Sequence, residues 1–494
     1  MIYLILISIL WLIVFTKKLF FWVYLWQLKE YHIGRFQDHF RTYKGKKLIL
    51  NYLLLVKILV LLGIVFSAKL GLAEIKPNLI YLVGAVFFVE ASFVFRNIWQ
   101  RSLKKPVLTR KTAVVLSTGF SFEALILFSL FILEFNITRF TFSLLFLDVL
   151  APVIFSALVL VYQPLAVILR NRIIKEAKKK RAEFKNLLVI GVTGSYGKTS
   201  TKEFLATILS EKFKVLKTKE HQNSEVGISE CILDELGLEH EVFIMEMGAY
   251  NQRGIKLLCD IAQPKIGVLT GINEQHMATF GSQENIIKTK YELIESLPTD
   301  GIAFFNGNNQ YCLELYQKTK VNKKLYGQGA VSAEEENLAG AKAVAEYLGM
   351  NQEEIARGSQ KIEPWQTGRQ VKKGINGIDI IDATYSANPN GVMAHLAYLK
   401  SLPGKKVIVM PCLIELGPAS QEVHRRIGKR IDEVCDLAII TTKDRFKEIK
   451  EGAPNAIFIE NPAKIIEKIK SFCGPGDVVL LESRVPSQLI KQLT

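Results

Sequence analysis

Five apolar runs dominate the first 169 residues, at about 1–28, 48–68, 78–95, 112–134 and 140–169. At about 1.5 Å per residue, a helix built from any of them reaches across a hydrocarbon core of roughly 30 Å. Within lipid the backbone must satisfy its hydrogen bonds inside the segment, which leaves the α-helix as the form for isolated runs of this length. The runs predict an α-helical transmembrane bundle of about five helices over residues 1–170. Lys17 and Lys18 interrupt the first run and are expected to snorkel towards the inner interface. No basic stretch precedes that run and no small-residue cleavage site follows it, so it reads as a retained helix and not a cleaved signal. Glu90 and Glu123 lie within runs, each either a functional group or a hydrogen-bonded member of the bundle interior. Few other ionisable groups are read in the runs, which argues against a polar pathway through them.

Charge sets the orientation. Residues 1–185 carry 26 Lys and Arg against 9 Asp and Glu, so the whole excess of +16 belongs to this part. The positive residues cluster in alternate loops: Lys29, Arg35, Arg41, Lys44, Lys46 and Lys47 in one, Arg96, Arg101, Lys104, Lys105, Arg110 and Lys111 in another. The intervening loops hold only Lys69 and Lys76, then Arg139. This is the pattern of a multi-pass cell-membrane protein with its N-terminus outside, not of a nucleic-acid-binding domain. The basic stretch 171–185 then lies inside as a juxtamembrane linker, either a helix on anionic headgroups or a solvated connector. The chain beyond residue 185 is accordingly expected to be cytoplasmic.

After the apolar residues 187–190, the chain reads GVTGSYGKTST over 191–201 and then opens a helix-like stretch. Glycines let backbone N–H groups approach a triphosphate, the helix start favours anions, Lys198 neutralises charge and the Thr199 hydroxyl suits Mg²⁺. Gly194, Ser195, Gly197, Lys198, Thr199 and Ser200 form the expected cradle. Val192 stands where the strict P-loop has glycine, and Gly191, Gly194 and Gly197 are spaced by three.

Strand-like runs KVLKT, EVFIMEMG, KIGVLTGI and GIAFFN alternate with amphipathic stretches, followed by IDIIDATYS, KKVIVMP, LAIITT, AIFIE and DVVLLES. That rhythm predicts α/β architecture, two parallel sheets covered by helices, with domains at 186–366 and 367–494. The six cysteines all lie after residue 230 without a C-x-x-C pair, which suggests a reducing compartment and neither disulfides nor a zinc site. Glu246 ends a strand, at the edge where open α/β sheets bind ligands, and can hold Mg²⁺ there. His276 follows another strand and could bring a nitrogen ligand to the same edge, although a lone loop histidine is more often an ordinary hydrogen-bonding residue.

As an ordered set, GVTGSYGKTST, HQNSEVGI, EMGA, NEQHMATFGS, KTKYELI, NGNN, GR, DATYSANP, IELG with His424, and GDVVLLESR resemble the Mur ligase family over about 300 residues. Within it they are most similar to the D-alanyl-D-alanine-adding branch. The resemblance implies a P-loop central domain and a C-terminal Rossmann-like domain. It also implies ATP-dependent amide formation through an acyl phosphate. By motif, Lys198 would bind phosphate, Thr199 and Glu246 one Mg²⁺, and His276 a second. Lys290 would be carbamylated, Asn306 and Asn309 would lie near adenine, and Arg369 and Asp382 would meet nucleotide from the closing domain. Asn223, Tyr385, Asn388, Glu415, His424 and Arg484 are the implied substrate-side residues. The chain departs from the family where the apolar runs replace the soluble UDP-sugar domain, at Ala383, in MPCL before IELG, and in ESR at 482–484.

These features point to a membrane-anchored ligase joining an amino acid or dipeptide to a lipid-linked or UDP-linked envelope precursor. The alternatives are a polyglutamate-type ligase, a P-loop ATPase driving transport through the bundle, and a non-catalytic scaffold. The sequence leaves the oligomeric state open.

Overall fold

The computed structural model describes residues 2–49, 51–71, 75–134, 136–220, 222–363, 366, 370–384 and 387–494. Two of the expected site residues, Arg369 and Tyr385, fall outside these. The chain divides into two compact units, Met1–Leu169 and Arg170–Thr494.

In the first unit, helices span Ile2–Leu28, Tyr52–Lys69, Ile75–Trp99, Arg110–Leu133 and Ile137–Val161, with two short helices, Ile33–His39 and Tyr43–Ile49, between the first two. Five segments are long and apolar enough to cross a membrane. The Ile2–Leu28 helix is the hub, burying Trp11, Phe15, Leu19 and Val23 against its neighbours. The last apolar run is broken: the helix ending at Val161 is followed by another from Gln163 to Glu183, with Pro164 in the first turn, where a missing N–H costs no helical bond.

The bundle interior is more polar than the sequence reading allowed. Lys57 and Asp148, single charges within apolar runs, are buried and lie 2.5 Å apart. Lys57 also pairs with Glu90, and Lys18 Nζ lies 2.7 Å from the other Asp148 oxygen. Lys18 therefore does not snorkel out, because its ammonium is held by Asp148. Glu123 is buried and accepts from Thr16 Oγ1 at 2.7 Å. Both carboxylates noted from sequence are thus hydrogen-bonded members of the interior, and the expectation of few ionisable groups is corrected.

The second unit holds two six-stranded sheets. The first comprises β1 (Leu188–Thr193), β2 (Val215–Lys217), β3 (Val242–Met247), β4 (Ile266–Leu269), β5 (Ile302–Asn306) and β6 (Asn322–Tyr326), all parallel in the order 2-3-1-4-5-6. Alternate residues face opposite sides: Val189, Phe243 and Met245 pack under helices Glu225–Glu235, Gly254–Ala262 and Gln283–Glu295. Ile190, Val192 and Ile244 pack under helices Lys198–Leu209, Ala333–Tyr347 and Gln352–Gln360. Burial on both faces is why these strands read as continuous apolar runs. Each large side chain so buried contributes about 1.5–3 kcal/mol.

The second sheet comprises β7 (Gln370–Lys373), β8 (Asp379–Ala383), β9 (Lys406–Met410), β10 (Leu437–Ile440), β11 (Ala456–Phe458) and β12 (Val478–Glu482) in the order 11-10-9-12-8-7. Only the β7–β8 pair is antiparallel. One face of the basic helix docks on the first sheet's layer through Ile174 and Ala177, and Arg181 donates to the carbonyls of Ala262 and Phe184 at 2.8 Å.

Candidate functional site

The strand order of the first sheet reverses around β1, and ligands of open α/β sheets bind at the carboxyl ends of strands flanking such a reversal. The glycine loop leaves β1 there and enters helix Lys198–Leu209. Gly194 has φ 156°, and a Cβ on it would lie 2.2 Å from Thr270 Oγ1, so only glycine lets the loop pass this close to the end of β4. Ser195 is buried and its N–H donates to Gly271 O at 2.6 Å, while Ser200 is half-buried in the first helical turn. Lys198 Nζ donates to Gly194 O at 2.9 Å and Ser195 O at 3.3 Å, folding over its own loop.

Register places Glu246 of β3 beside Val192 of β1. Its two carboxylate oxygens accept from Thr199 Oγ1 at 2.8 Å and from Asn223 Nδ2 at 3.0 Å. A hydroxyl and a carboxylate in this arrangement are oxygen donors suited to a hard cation. Among the described residues no three His, Cys, Asp or Glu side chains converge. A divalent ion there would complete its shell with phosphate and water, as Mg²⁺ commonly does.

His276 lies seven residues beyond β4, in left-handed backbone with φ 67°, its ring edge-on to Tyr250 at 4.9 Å. Its Nδ1 is 2.7 Å from Glu415 Oε2, a residue of the second sheet's loops. Burial lowers the imidazole pKa; Glu415 opposes this, and the charges of Lys290 and Lys198 reinforce it. Lys290 is buried on helix Gln283–Glu295, and no hydrogen bond or ion pair holds its ammonium among the described residues. Burial, then the positive Lys198, push its pKa down to about 7. Burial likewise lowers Lys198, against the pull of Glu246. Lys198, Glu246, His276 and Lys290 thus belong to one electrostatic neighbourhood.

The remaining expected residues divide. Asn306 donates to Thr270 O and to Glu336, each at 2.8 Å, and Asn309 donates to Ile272 O at 3.0 Å and to Tyr196 at 3.2 Å. Both amides act on protein groups at the sheet edge. Asp382, next to last in β8, accepts from Thr384 Oγ1 at 2.7 Å and Lys372 at 3.0 Å; burial would raise its pKa, but these bonds lower it overall. Asn388 caps helix Pro389–Lys400. His424 is fully buried, accepting from Leu413 N and lying against Ser420 O, where it supports the 411–416 loop. Arg484 is exposed after β12. The sequence reading missed Asn273, whose amide reaches Asn390 of helix Pro389–Lys400 at 2.8 Å, and the buried pair His395–Glu482 at 2.6 Å. Asn273 opens the motif that contains His276, whereas nothing local marks His395.

Two family models match the chain: the Mur ligase middle domain over residues 192–356, and the Mur ligase glutamate ligase domain over residues 368–484. The chain belongs to the Mur ligase family. It is a ligase of Mur type, and the two matched regions run from the end of β1 through β6 and from β7 through β12. The UDP-N-acetylmuramoyl-tripeptide--D-alanyl-D-alanine ligase of Synechocystis sp. is 29% identical over 326 residues, covering 60% of this chain and 71% of that protein. The Bacillus subtilis enzyme of the same name is 28% identical over 335 residues, covering 60% and 72%. The crystal structure of the MurF ligase from Thermotoga maritima in complex with ADP superposes with a TM-score of 0.57 at 26% identity, covering 65% of this chain and 83% of that one. This Mur ligase carries, before its matched regions, the bundle of apolar helices in residues 2–161.

Proposed function

We propose that this Mur ligase is anchored in the cell membrane with its two sheets on the cytoplasmic side. There it uses ATP to join an amino acid or dipeptide to a lipid-linked or UDP-linked cell-envelope precursor. A carboxylate oxygen of the precursor attacks the γ-phosphorus and ADP departs, leaving an acyl phosphate. The amine nitrogen then attacks the acyl carbon, phosphate leaves with the original carboxylate oxygen, and the amine loses a proton. Such chemistry depends mainly on positioning and charge neutralisation.

The observation that carries this reading is the gathering of Lys198, the Thr199–Glu246 pair at 2.8 Å, His276 and Lys290 around the end of a single parallel sheet. Lys198 would unfold from its loop carbonyls onto the phosphates, and Thr199 with Glu246 would hold Mg²⁺, with His276 at a second ion. Mg²⁺ would supply charge neutralisation across the triphosphate. The names of the relatives favour D-alanyl-D-alanine as the amine and a peptidoglycan precursor as the acid. Full-length protein in detergent, given Mg²⁺ATP, a membrane-lipid extract and an amine panel, should release ADP only when acid and amine are both present. A component should gain the mass of the amine less water. ADP release indifferent to every amine would contradict the proposal.

A buried amine with a pKa near 7 reacts readily with CO₂ at neutral pH, which supports a carbamate on Lys290. The neutral amine predominates above about pH 7, so the carbamate should be lost as pH falls below it. Lys290→Ala should abolish most turnover and regain part of it with formate or acetate. Bicarbonate should reactivate CO₂-depleted enzyme better at pH 8 than at pH 6. Full activity of Lys290→Ala without additive would exclude the carbamate.

A second reading has one observation in its favour. The group formed by buried Lys57 and Asp148 with half-buried Lys18 and Glu90 would suit an ATPase that moves a solute through the bundle. ATP hydrolysis would then track the solute and need no amine.

A further inference from the structure

Nine described residues other than glycine have positive φ, and two of them, His276 at 67° and Glu415 at 65°, touch each other. Left-handed backbone in such residues persists only where the surroundings over-determine it. Here the determinants come from two domains. Glu415 lies five residues beyond β9, and its carbonyl accepts from Ala278 N at 3.1 Å. At Gly417 a Cβ would lie 3.1 Å from the same Ala278 nitrogen, so this loop can lie flat against helix Met277–Phe280. Asn273 joins Asn390 at 2.8 Å and Glu274 meets Arg426 at 3.5 Å. Of these groups, the Glu415 carboxylate is the one bonded to the imidazole.

We propose that Glu415 is a positioning residue for phosphoryl transfer. By accepting the Nδ1 proton of His276 it selects the tautomer whose Nε2 lone pair can bind a divalent cation, and it does so only when the second sheet's loops are seated. The inference rests on the ligase reading above and deepens it. A carboxylate against one imidazole nitrogen fixes the ring and makes the other nitrogen a better ligand. It also ties the second cation site to the seating of the second sheet's loops. Glutamine in the same place could accept from Nδ1–H or donate to a bare Nδ1, so it keeps a hydrogen bond while losing the choice of tautomer.

The test is Mn²⁺ binding to the full-length protein with ADP, read by electron paramagnetic resonance, together with steady-state ADP release. Wild type should bind two Mn²⁺. Glu415→Gln should keep the first and bind the second about 10–100-fold more weakly, with kcat reduced at least about tenfold and KM for ATP within about twofold. Glu415→Asp, which keeps the charge on a shorter arm, should fall between them and serves if the glutamine variant does not fold. Arg426→Ala, which removes one partly exposed ion pair and leaves the Glu415–His276 bond in place, should match wild type. A single Mn²⁺ in wild type, or a Glu415→Gln protein equal to wild type in the second Mn²⁺, would overturn the proposal. Wild type that binds two Mn²⁺ but shows no amine-dependent turnover would sink the ligase reading instead, and the Mn²⁺ comparison would then decide this one alone.

Discussion

Lys198→Met is expected to lower amine-dependent ADP release by about 10³-fold, the upper range for removing one preorganised donor from a charge-stabilising site. The ammonium is the positive group of the loop itself, and among the described residues its bonds go only to the Gly194 and Ser195 carbonyls. Methionine keeps the length of the aliphatic stem and removes the charge, so loop packing should survive while phosphate stabilisation is lost. The same substitution removes the positive charge that, after burial, lowers the Lys290 pKa. Its loss raises that pKa and leaves less neutral amine for a carbamate, which adds to the fall in kcat, while the thermal midpoint should stay within about 2 °C of wild type. Retention of more than a tenth of the activity would show that the phosphate is neutralised by some other group.

The second large effect belongs to the bundle. Lys57→Met should destabilise it by about 3–5 kcal/mol, because it strips the half-buried Glu90 of its ammonium and leaves the buried Asp148 with Lys18 alone. That corresponds to a fall of roughly 10 °C in the thermal midpoint of the bundle in detergent. Lys105→Met, at an exposed position, should shift it by no more than about 1 °C. Combining Lys57→Met with Glu90→Gln removes the stranded carboxylate while Lys18 and Asp148 keep their pair, and should recover much of the loss. A Lys57→Met protein as stable as wild type would mean that the carboxylates are neutral or otherwise satisfied in the bundle.

How legible each part is in the sequence depends on where its signal resides. β1, β3, β4 and β5 are buried on both faces, so their apolar runs stand out, and the glycine loop carries its own spacing. β6 and β7 are edge strands, NKKLY and QVKK, largely exposed and polar, and nothing in their composition announces a strand. Lys57 and Asp148 are hidden for the opposite reason: one charge in an apolar run barely alters its hydropathy, and its partner lies 91 residues away. The bond between His276 and Glu415 spans 139 residues, so both motifs are visible while their meeting is not. Asn306 and Asn309 are recognisable as a motif, yet their amides are committed to Thr270, Glu336, Ile272 and Tyr196, which only the folded chain reveals.

The measurement that bears most directly on the central claim is the oxygen content of the phosphate released in H₂¹⁸O, with Mg²⁺ATP, lipid extract and the activating amine. In acyl-phosphate ligation the departing phosphate takes its fourth oxygen from the acid's carboxylate, so the account predicts phosphate without solvent ¹⁸O. One solvent ¹⁸O in each phosphate would mean that water attacks the γ-phosphorus, and the protein would be an ATPase and not a ligase.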